Sequence, residues 1–397
     1  MISVKKAEEI ILSNSRTYGV EKISMQKSLG RILQEEIRSD RPFPPFNRVM
    51  MDGIAIDYKA WKDGVRSFKC EDTQAAGEAP KTLSNSNHCI EIMTGAVLPH
   101  LCDTVIRYED LQNKSDFFSI GDIEIRKGQN VHPQGSDLSE GEVLIEKRMQ
   151  ISAAEIGVLA SVGKCEVIVS KMPKVAVIST GDELVEVDQI PEYHQIRRSN
   201  VYSMLSGLKG LGVDADTFHL EDERDKIEFE LSKINKDYDV VLLSGGVSKG
   251  KFDFIPEVLD HLGVKKLFHG VFQRPGKPFW FGNNEGTTFF AFPGNPVSTF
   301  MCFRKYFVPW LRESLREKDR TVSYAILDED FHFSPQLNYF LQVKTKINKK
   351  GNLTAKPIVG RGSGDFGNLL RCNGFLELPS NQNHFEKGEA FPFIPFR

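Results

Sequence analysis

The sequence lacks a surplus of charge of either sign. Its 397 residues include 51 Lys and Arg against 54 Asp and Glu, a formal net charge of −3. A nucleic-acid-binding protein usually shows a basic excess or a basic face, and a polybasic membrane contact needs clustered Lys and Arg. The sequence therefore predicts no nucleic-acid partner and no membrane contact.

Long apolar runs are also lacking. No segment approaches the roughly 18 uninterrupted apolar residues of a membrane-spanning helix. The first residues do not resemble a signal peptide, because lysines and glutamates interrupt them and no apolar region comes after them. Val4, Ala7, Ile10 and Ile11 instead recur at helical spacing, with Ser3 as a candidate N-cap. We expect a cytoplasmic protein with an N-terminal helix.

Metal-binding cysteine pairs are missing as well. The six cysteines are scattered, none forms a CxxC, and no histidine pair has the spacing of a metal site. Reduced thiols in a cytosolic protein are the favoured interpretation. We therefore expect neither a zinc site nor an iron–sulfur centre.

The sequence pattern changes along the chain, which is too long for one ordinary hydrophobic core. Short β-like runs come after the proline-rich stretch at 41–53, and alternation at 123–126 predicts a half-buried strand. Strand–loop–helix repeats after Pro173 are typical of a parallel sheet covered on both faces. The predicted fold class is α/β plus β, with an N-terminal linker domain (1–40 and 138–170), a small β domain (41–137), an α/β domain (171–318) and a C-terminal β domain (319–397).

Three glycine-bearing loops come directly after three apolar strands of the α/β region. The strands are predicted at 174–178, 240–243 and 287–292, and each is apolar enough for the centre of a parallel sheet. Ligands bind beyond the carboxyl ends of such strands. Each loop is also predicted to open a helix. The candidate binding residues are Ser179, Thr180, Gly181, Ser244, Gly245, Gly246, Ser248, Pro293, Gly294, Asn295, Pro296 and Ser298.

The loop glycines favour an anionic ligand. Glycine lets the backbone approach a ligand and adopt positive φ, and the N–H groups at a helix start carry partial positive charge. One such loop is often only a tight turn. Three of them favour a phosphorylated ligand over a purely structural use of the glycines.

Three carboxylates lie in these loops or just after them. Asp182, Glu183 and Asp253 would repel a phosphate unless a divalent cation lay between them, and Mg²⁺ is the usual choice. The alternative is that Asp182 caps a helix and Asp253 lies on a solvated helix face. Four cationic side chains are candidates to offset phosphate charge: Lys249, Lys251, Arg274 and Lys277.

Seven short motifs occur in a fixed order: MDGIA, MTGA, GSDLSEGE, STGDEL, SGGVSKGKFDF, RPGKP and PGNPVS. Together they resemble the MoeA family, the molybdopterin molybdenumtransferases, whose eukaryotic counterpart is the E domain of gephyrin. The resemblance runs from about residue 5 to the C-terminus. Its most specific part is the ordered set SGGVS, PGK and PGNPVS.

The resemblance implies an elongated, multidomain subunit with a molybdopterin-binding-like α/β domain. The implied reaction inserts molybdate into adenylylated molybdopterin: the phosphoanhydride is cleaved, AMP leaves, and molybdenum ends on the dithiolene sulfurs. Magnesium or a similar divalent cation assists. The family site lies between the α/β domain of one subunit and the N-terminal β parts of the other, which implies a homodimer. Molybdopterin adenylyltransferase and molybdoenzyme maturation proteins are the other implied partners.

Residue by residue, the resemblance implies site roles for Asp52, Thr94, Asp137, Glu183, Asp222 and Asp253. The first three stand beside glycine in turns, and by physical chemistry alone they would be interpreted as turn residues. The metal ligands are expected among Asp182, Glu183 and Asp253. Substrate contacts are also implied for Arg274, Gly276, Lys277 and Ser363, in addition to the loop residues named above.

Two departures from the family pattern concern substrate contacts. Arg274 stands where many members have lysine, and its guanidinium is a planar fork rather than a point charge. Arg48 and Val49 replace small residues of the N-terminal motif.

Two other functions are compatible with parts of this pattern. Adenylylation of molybdopterin uses the same α/β domain, but it needs no flanking β domains. A non-catalytic scaffold of the gephyrin type would be favoured by loss of the acidic residues, which are present here.

Overall fold

Two compact units make up the chain. The computed structural model describes residues 1–248, 250, 253–318 and 321–397. One unit comprises Met1–Gln34, Arg148–Ser152 and Val167–Arg397, and the other comprises Glu35–Lys147 and Ala153–Glu166. The four-part division expected from the sequence stays a prediction. Within the described ranges, no helix is long and apolar enough to cross a membrane.

A six-stranded sheet forms the centre of the first unit. Its strands in spatial order are Ala215–Leu220, Val175–Thr180, Val240–Ser244, Thr288–Phe292, Trp280–Asn283 and Lys265–His269. The first four are parallel, and they include the three strands predicted to carry the glycine loops. Strand Trp280–Asn283 pairs antiparallel with both of its neighbours, so the expectation of a parallel sheet is wrong at this edge. The connection at 284–287 is too short for the crossover that a parallel pair requires.

Helices cover both faces of this sheet, as predicted. Along the first loop-bearing strand, Val175 and Val177 face one core while Ala176 and Ile178 face the other. Helix Val4–Ser13 packs on the first core and begins at Ser3, whose side chain accepts a 3.2 Å hydrogen bond from the N–H of Lys6. The other α-helical and π-helical segments of this unit are Ser199–Gly210, Arg224–Asp237, Ile255–His261, Pro296–Cys302, the π-helical Phe303–Phe307, and Val308–Ser314.

Five C-terminal strands close into a small barrel. Each strand pairs with the next in the order Asn338–Ile347, Leu353–Pro357, Ser323–Leu327, Ala390–Pro395 and Gly374–Leu378, and the last pairs with the first. The short strand Gln273–Arg274 adds to the edge at Asn338 and Tyr339. Arg274 is therefore fixed against the barrel by backbone hydrogen bonds.

The second unit is built on its own six-stranded sheet. The strand order is Thr104–Arg107, Gly53–Ile56, His88–Ile92, Ser67–Gln74, Phe117–Ile120 and Leu111–Lys114. Two small ladders join Ile37–Arg38 to Val143–Ile145 and Arg48–Val49 to Val131–His132, and the helices are Tyr58–Lys62 and Ala153–Ser161. The strand predicted at 123–126 is wrong. Ile125 is buried there in the hydrophobic core, but the segment has no strand structure.

Candidate functional site

The three glycine loops meet at one end of the central sheet. Parallel register places Ser179 beside Ser244, and Ser244 beside Phe292, so the three strands end at the same edge. A cavity of about 480 Å³ lies beyond that edge. Its lining includes the predicted residues Ser179, Thr180, Gly181, Ser244, Gly245, Gly246, Ser248, Pro293, Gly294, Asn295 and Pro296. The structure thus brings them together, while their roles in binding stay predictions.

Two of the glycines are required by close packing of the first loop against the second. Gly245 has a φ of +104°, and a Cβ atom there would lie 2.9 Å from the carbonyl oxygen of Thr180. Gly246 has a φ of +68°, and its Cβ would lie 3.0 Å from Oγ1 of Thr180 and 2.6 Å from Cγ1 of Ile255, in the helix after the second loop. The buried hydroxyl oxygen of Thr180 has no hydrogen-bond partner within the described structure. A ligand in the cavity is one group that can provide it.

The first and third loops lead into different elements of secondary structure. The third loop opens a helix as predicted, with Asn295 as N-cap and Pro296 at the first turn. The first loop leads instead into the short strand Leu184–Val185, and the next helix begins only at Ser199. The predicted helix start after the first loop is therefore wrong, and so is the alternative that Asp182 caps a helix there. Lys249 and Lys251 lie outside the described residues.

Asn200 joins two of the loops and was missed from the sequence. Its side-chain amide donates to Oγ of Ser244 at 2.8 Å and to the carbonyl oxygen of Gly294 at 2.7 Å. Asn200 lies in the first turn of helix Ser199–Gly210 and lines the cavity. The only signal in the sequence was a polar residue at a helix start, which is too common to single out.

Four carboxylates crowd the acidic side of the site. The N–H of Asp222 donates to a carboxylate oxygen of Asp182 at 2.9 Å, and Asp253 accepts from the N–H of Gly250 at 2.6 Å. Burial, and then the charges of Asp182, Glu183 and Asp253, raise the pKa of Asp222 to about 6. The structure therefore brings the predicted acidic residues of this unit close enough to repel one another.

The donor set suits magnesium in its chemistry. Carboxylate oxygens are ligands that Mg²⁺ prefers, and it is usually held by one or two of them together with phosphate oxygens. Across the described ranges, no three Asp, Glu, His or Cys side chains converge on one point as metal ligands. The arrangement thus fits a cation shared between the protein and an anionic ligand.

A second cavity of about 680 Å³ adjoins the first and contains the remaining predicted cations. Arg274 and Lys277 line it, together with Arg361, which was missed from the sequence. The two cavities share Pro278, Pro293 and Asn295 in their linings. Gly276, Ser298 and Ser363 also belong to the second lining.

The C-terminal part of the chain is tied directly to the third loop. The side-chain amide of Asn295 donates to Oγ of Ser363 at 3.0 Å, and the carbonyl oxygen of Ser363 accepts from the N–H of Val297 at 3.1 Å. At Gly276, with a φ of +87°, a Cβ would lie 2.6 Å from Sγ of Cys302. The predicted residues Gly276 and Ser363 thus shape the second cavity through backbone and side-chain contacts.

The three predicted site residues of the second unit take part in two hydrogen-bonded pairs, the second of which is completed by His132. The N–H of Thr94 donates to the Asp52 carboxylate at 2.6 Å, and this hydrogen bond lowers the pKa of Asp52. Asp137 lies 2.7 Å from Nε2 of His132. Each pair anchors a turn, which agrees with the physical interpretation of these residues. Their part in a ligand site stays a prediction.

Models of known protein families match most of the chain. Three models match in sequence order: the MoeA N-terminal region (domain I and II) at residues 2–163, a probable molybdopterin binding domain at 176–313, and the MoeA C-terminal region (domain IV) at 324–396.

Individual relatives match over the full length. A molybdopterin molybdenumtransferase of Synechocystis sp. is 40% identical over 99% of both chains, and one of Staphylococcus epidermidis is 30% identical over 99% of this chain and 95% of its own. The crystal structure of a molybdopterin biosynthesis MoeA protein from Pyrococcus horikosii covers 100% of this chain and 99% of its own, with a TM-score of 0.83 at 30% identity. The chain therefore belongs to the MoeA family of molybdopterin molybdenumtransferases.

Proposed function

We propose that this protein inserts molybdate into adenylylated molybdopterin and releases AMP, a step of molybdenum cofactor biosynthesis. The observation that carries the proposal is the contrast between two cavities that share Pro278, Pro293 and Asn295. The first is lined by glycine loops and three carboxylates, together with Arg197 and Arg198. The second is lined by three cations and by no described carboxylate. A substrate with a phosphoanhydride and a separate oxyanion needs both environments.

The first cavity suits the phosphoanhydride. Backbone N–H groups of glycine loops and the buried hydroxyl of Thr180 can donate to phosphate oxygens. We assign the magnesium ligands to one or two of Asp182, Glu183 and Asp253, which would share the cation with phosphate oxygens, with Asp222 beside them. Magnesium, when bound there, would neutralise the charge that the leaving phosphate of AMP develops.

The second cavity suits molybdate. Arg274, Lys277 and Arg361 contribute three cationic groups, and no described carboxylate lines this cavity. A planar guanidinium can donate two parallel hydrogen bonds to a tetrahedral oxyanion. Oxyanion binding beside the phosphoanhydride would place molybdenum next to the dithiolene sulfurs that receive it.

Asp52, Thr94 and Asp137 enter the proposal through a second copy of the chain. We propose that the enzyme is a homodimer in which these residues complete the site formed by the loops of the partner copy. We further propose a cytoplasmic enzyme that receives its substrate from molybdopterin adenylyltransferase and delivers its product to molybdoenzyme maturation proteins.

The test supplies purified protein with adenylylated molybdopterin, molybdate and magnesium, and monitors AMP. AMP release that requires molybdate supports the proposal. Consumption of ATP would indicate the adenylyltransferase instead, an alternative already disfavoured because MoeA-specific regions match on both sides of the molybdopterin binding domain. Absence of any turnover would point to a scaffold.

A further inference from the structure

Arg198 is a buried cation at the edge of the first cavity. Only 7% of the residue is exposed. Its guanidinium contacts three separate parts of the chain: Nε donates to Oγ of Ser179 at 2.9 Å, Nη2 donates to the carbonyl oxygen of Phe218 at 3.0 Å, and Nη1 donates to the carboxylate of Glu186. Arg198 thereby links the first glycine loop, the neighbouring edge strand and the segment that leaves the loop.

That segment, residues 184–197, is called the arm here. It leaves the first loop as Leu184–Val185 and returns as Ile196–Arg197, which pairs with its outgoing strand. Both ends line the cavity, whereas Ile190 at the tip is 91% exposed and Tyr193 is fully exposed. Internal hydrogen bonds hold its shape, including one from Nε of Arg197 to the carbonyl oxygen of Gln189 at 3.1 Å.

We propose that Arg198 is a positioning residue that holds the first loop and the base of the arm as one preorganised wall of the ligand cavity. The identity of the ligand in this inference rests on the proposed function, but the geometry around Arg198 does not depend on it. Burying a guanidinium costs desolvation energy that an apolar side chain would avoid. Three bonds to three elements specify a geometry, and lysine cannot make them together because it lacks the planar fork.

Ser179, which contacts Arg198, belongs to the same positioning network. Its hydroxyl oxygen accepts from Arg198, and Nδ1 of His219 lies 3.1 Å away on the register-paired residue of the edge strand. The hydroxyl of Ser179 is thus in contact with both Arg198 and His219. These contacts fix the backbone that leads into Thr180 and Gly181, which line the cavity.

The test measures how firmly the arm is held, and it needs no activity. Chymotrypsin is added to the native full-length protein, and the initial rate of cleavage after Tyr193 is measured by mass spectrometry of the fragment that begins at His194. We expect Arg198→Met and Arg198→Lys to be cleaved about tenfold faster than wild type, because local opening becomes easier. Glu186→Gln, which loosens only the link to the arm, is expected to accelerate cleavage as well.

Arg31→Met is the matched control. Arg31 is also largely buried and donates to a carboxylate, Glu21, and to a backbone carbonyl, that of Ser170, but it lines a third cavity at the opposite end of the sheet. The rate at which Arg31→Met is cleaved after Tyr193 should equal the rate for wild type. Cleavage of Arg198→Lys and Glu186→Gln at the wild-type rate would overturn the proposal, even if Arg198→Met failed to fold.

A kinetic measurement separates positioning from general stability. Arg198→Lys should raise KM for adenylylated molybdopterin about tenfold and leave kcat nearly unchanged, because preorganised binding is lost while the reacting groups remain. Faster cleavage without any turnover in the wild type would reject the proposed function and leave the role of Arg198 standing. An unchanged KM in an active enzyme would reject that role.

Discussion

The backbone N–H of Asp222 donates a 2.9 Å hydrogen bond to the carboxylate of Asp182. This contact joins the turn after strand Ala215–Leu220 to the first glycine loop, and it brings two acidic side chains to one side of the cavity. The arrangement is electrostatically unfavourable by itself, as the raised pKa of Asp222 indicates. A cation at this position would turn the repulsion into binding.

Removal of one charge from this cluster should stabilise the metal-free protein. The pKa of Asp222 is about 6 in the folded chain against an ordinary value of 3.8, so folding favours the protonated form. Ionised Asp222 therefore destabilises the folded state, by an amount that grows as pH rises from about 4 to 6 and is complete above pH 6. In EDTA at pH 7.5, Asp222→Asn should melt about 1–3 °C higher than wild type, and the gain should shrink at pH 5.

Magnesium should reduce the difference in melting temperature between Asp222→Asn and wild type. Added to the same samples at pH 7.5, it should raise the melting temperature of wild type more than that of Asp222→Asn, because the variant has lost one carboxylate. Equal melting temperatures at both pH values, with no response to magnesium, would contradict a cation site formed by this cluster.

A buried ion triad stabilises the first unit. Nζ of Lys305 lies 2.6 Å from carboxylate oxygens of both Glu8 and Glu377, and its side chain is only 11% exposed. Lys305→Met would leave two partly buried carboxylates without a cation, at a cost of about 2–4 kcal/mol in the free energy of unfolding. Urea denaturation measures this cost.

Lys226→Met is the control for that variant. Lys226 also contacts two carboxylates, Glu221 and Glu223, but all three side chains are more than half exposed. Its loss should change the free energy of unfolding by no more than about 1 kcal/mol. Equal effects of the two substitutions would show that burial of the triad contributes little.

The close packing of the glycine loops can be measured with a matched pair of glycines. Gly246 and Gly263 have φ values of +68° and +73°, but an added Cβ meets Ile255 at the first position and open space at the second. Gly263→Ala should cost about 1–2 kcal/mol for the left-handed backbone alone. Gly246→Ala should cost about 1–3 kcal/mol more, through overpacking, and should weaken AMP binding. If the two substitutions lower the free energy of unfolding by similar amounts and AMP affinity is unchanged, close packing at Gly246 would be contradicted.

Sharing of the site between two copies predicts complementation. Asp52→Asn and Asp253→Asn should each lower turnover about a hundredfold in the homodimer, because each removes a charged group from every site. When the two variants are reassociated at random, half of the dimers are mixed, and each mixed dimer has one site free of both substitutions. Activity should then recover to about a quarter of wild type. No recovery would indicate that one chain supplies the whole site.

Much of the central architecture was predictable from the sequence. Strands 174–178, 240–243 and 287–292 are almost wholly apolar, and a glycine loop comes after each of them, so their adjacency and the shared loop edge could be predicted. The antiparallel edge could not, because it depends on the short connection at 284–287 rather than on strand composition. Residues 123–126 alternate like a strand but pack without a neighbour to pair with.

The site was predictable to the extent that its residues stand in the loops. Asp182, Glu183 and Asp253 could be placed together because they come after adjacent strands. Arg198 and Asn200 could not, since only the fold brings them into contact with Ser179, Ser244 and Gly294, which are distant in sequence. Arg274 and Lys277 carry the right charge, but composition alone does not tell which cavity they line.

The most direct test of the proposed activity is a single-turnover measurement of AMP release from adenylylated molybdopterin. The wild type should release AMP only when both molybdate and magnesium are present. Asp253→Asn should remain folded, with an unchanged circular dichroism spectrum, and should release AMP about a hundredfold more slowly. AMP release that proceeds equally without molybdate, or at the wild-type rate in Asp253→Asn, would contradict the proposed activity.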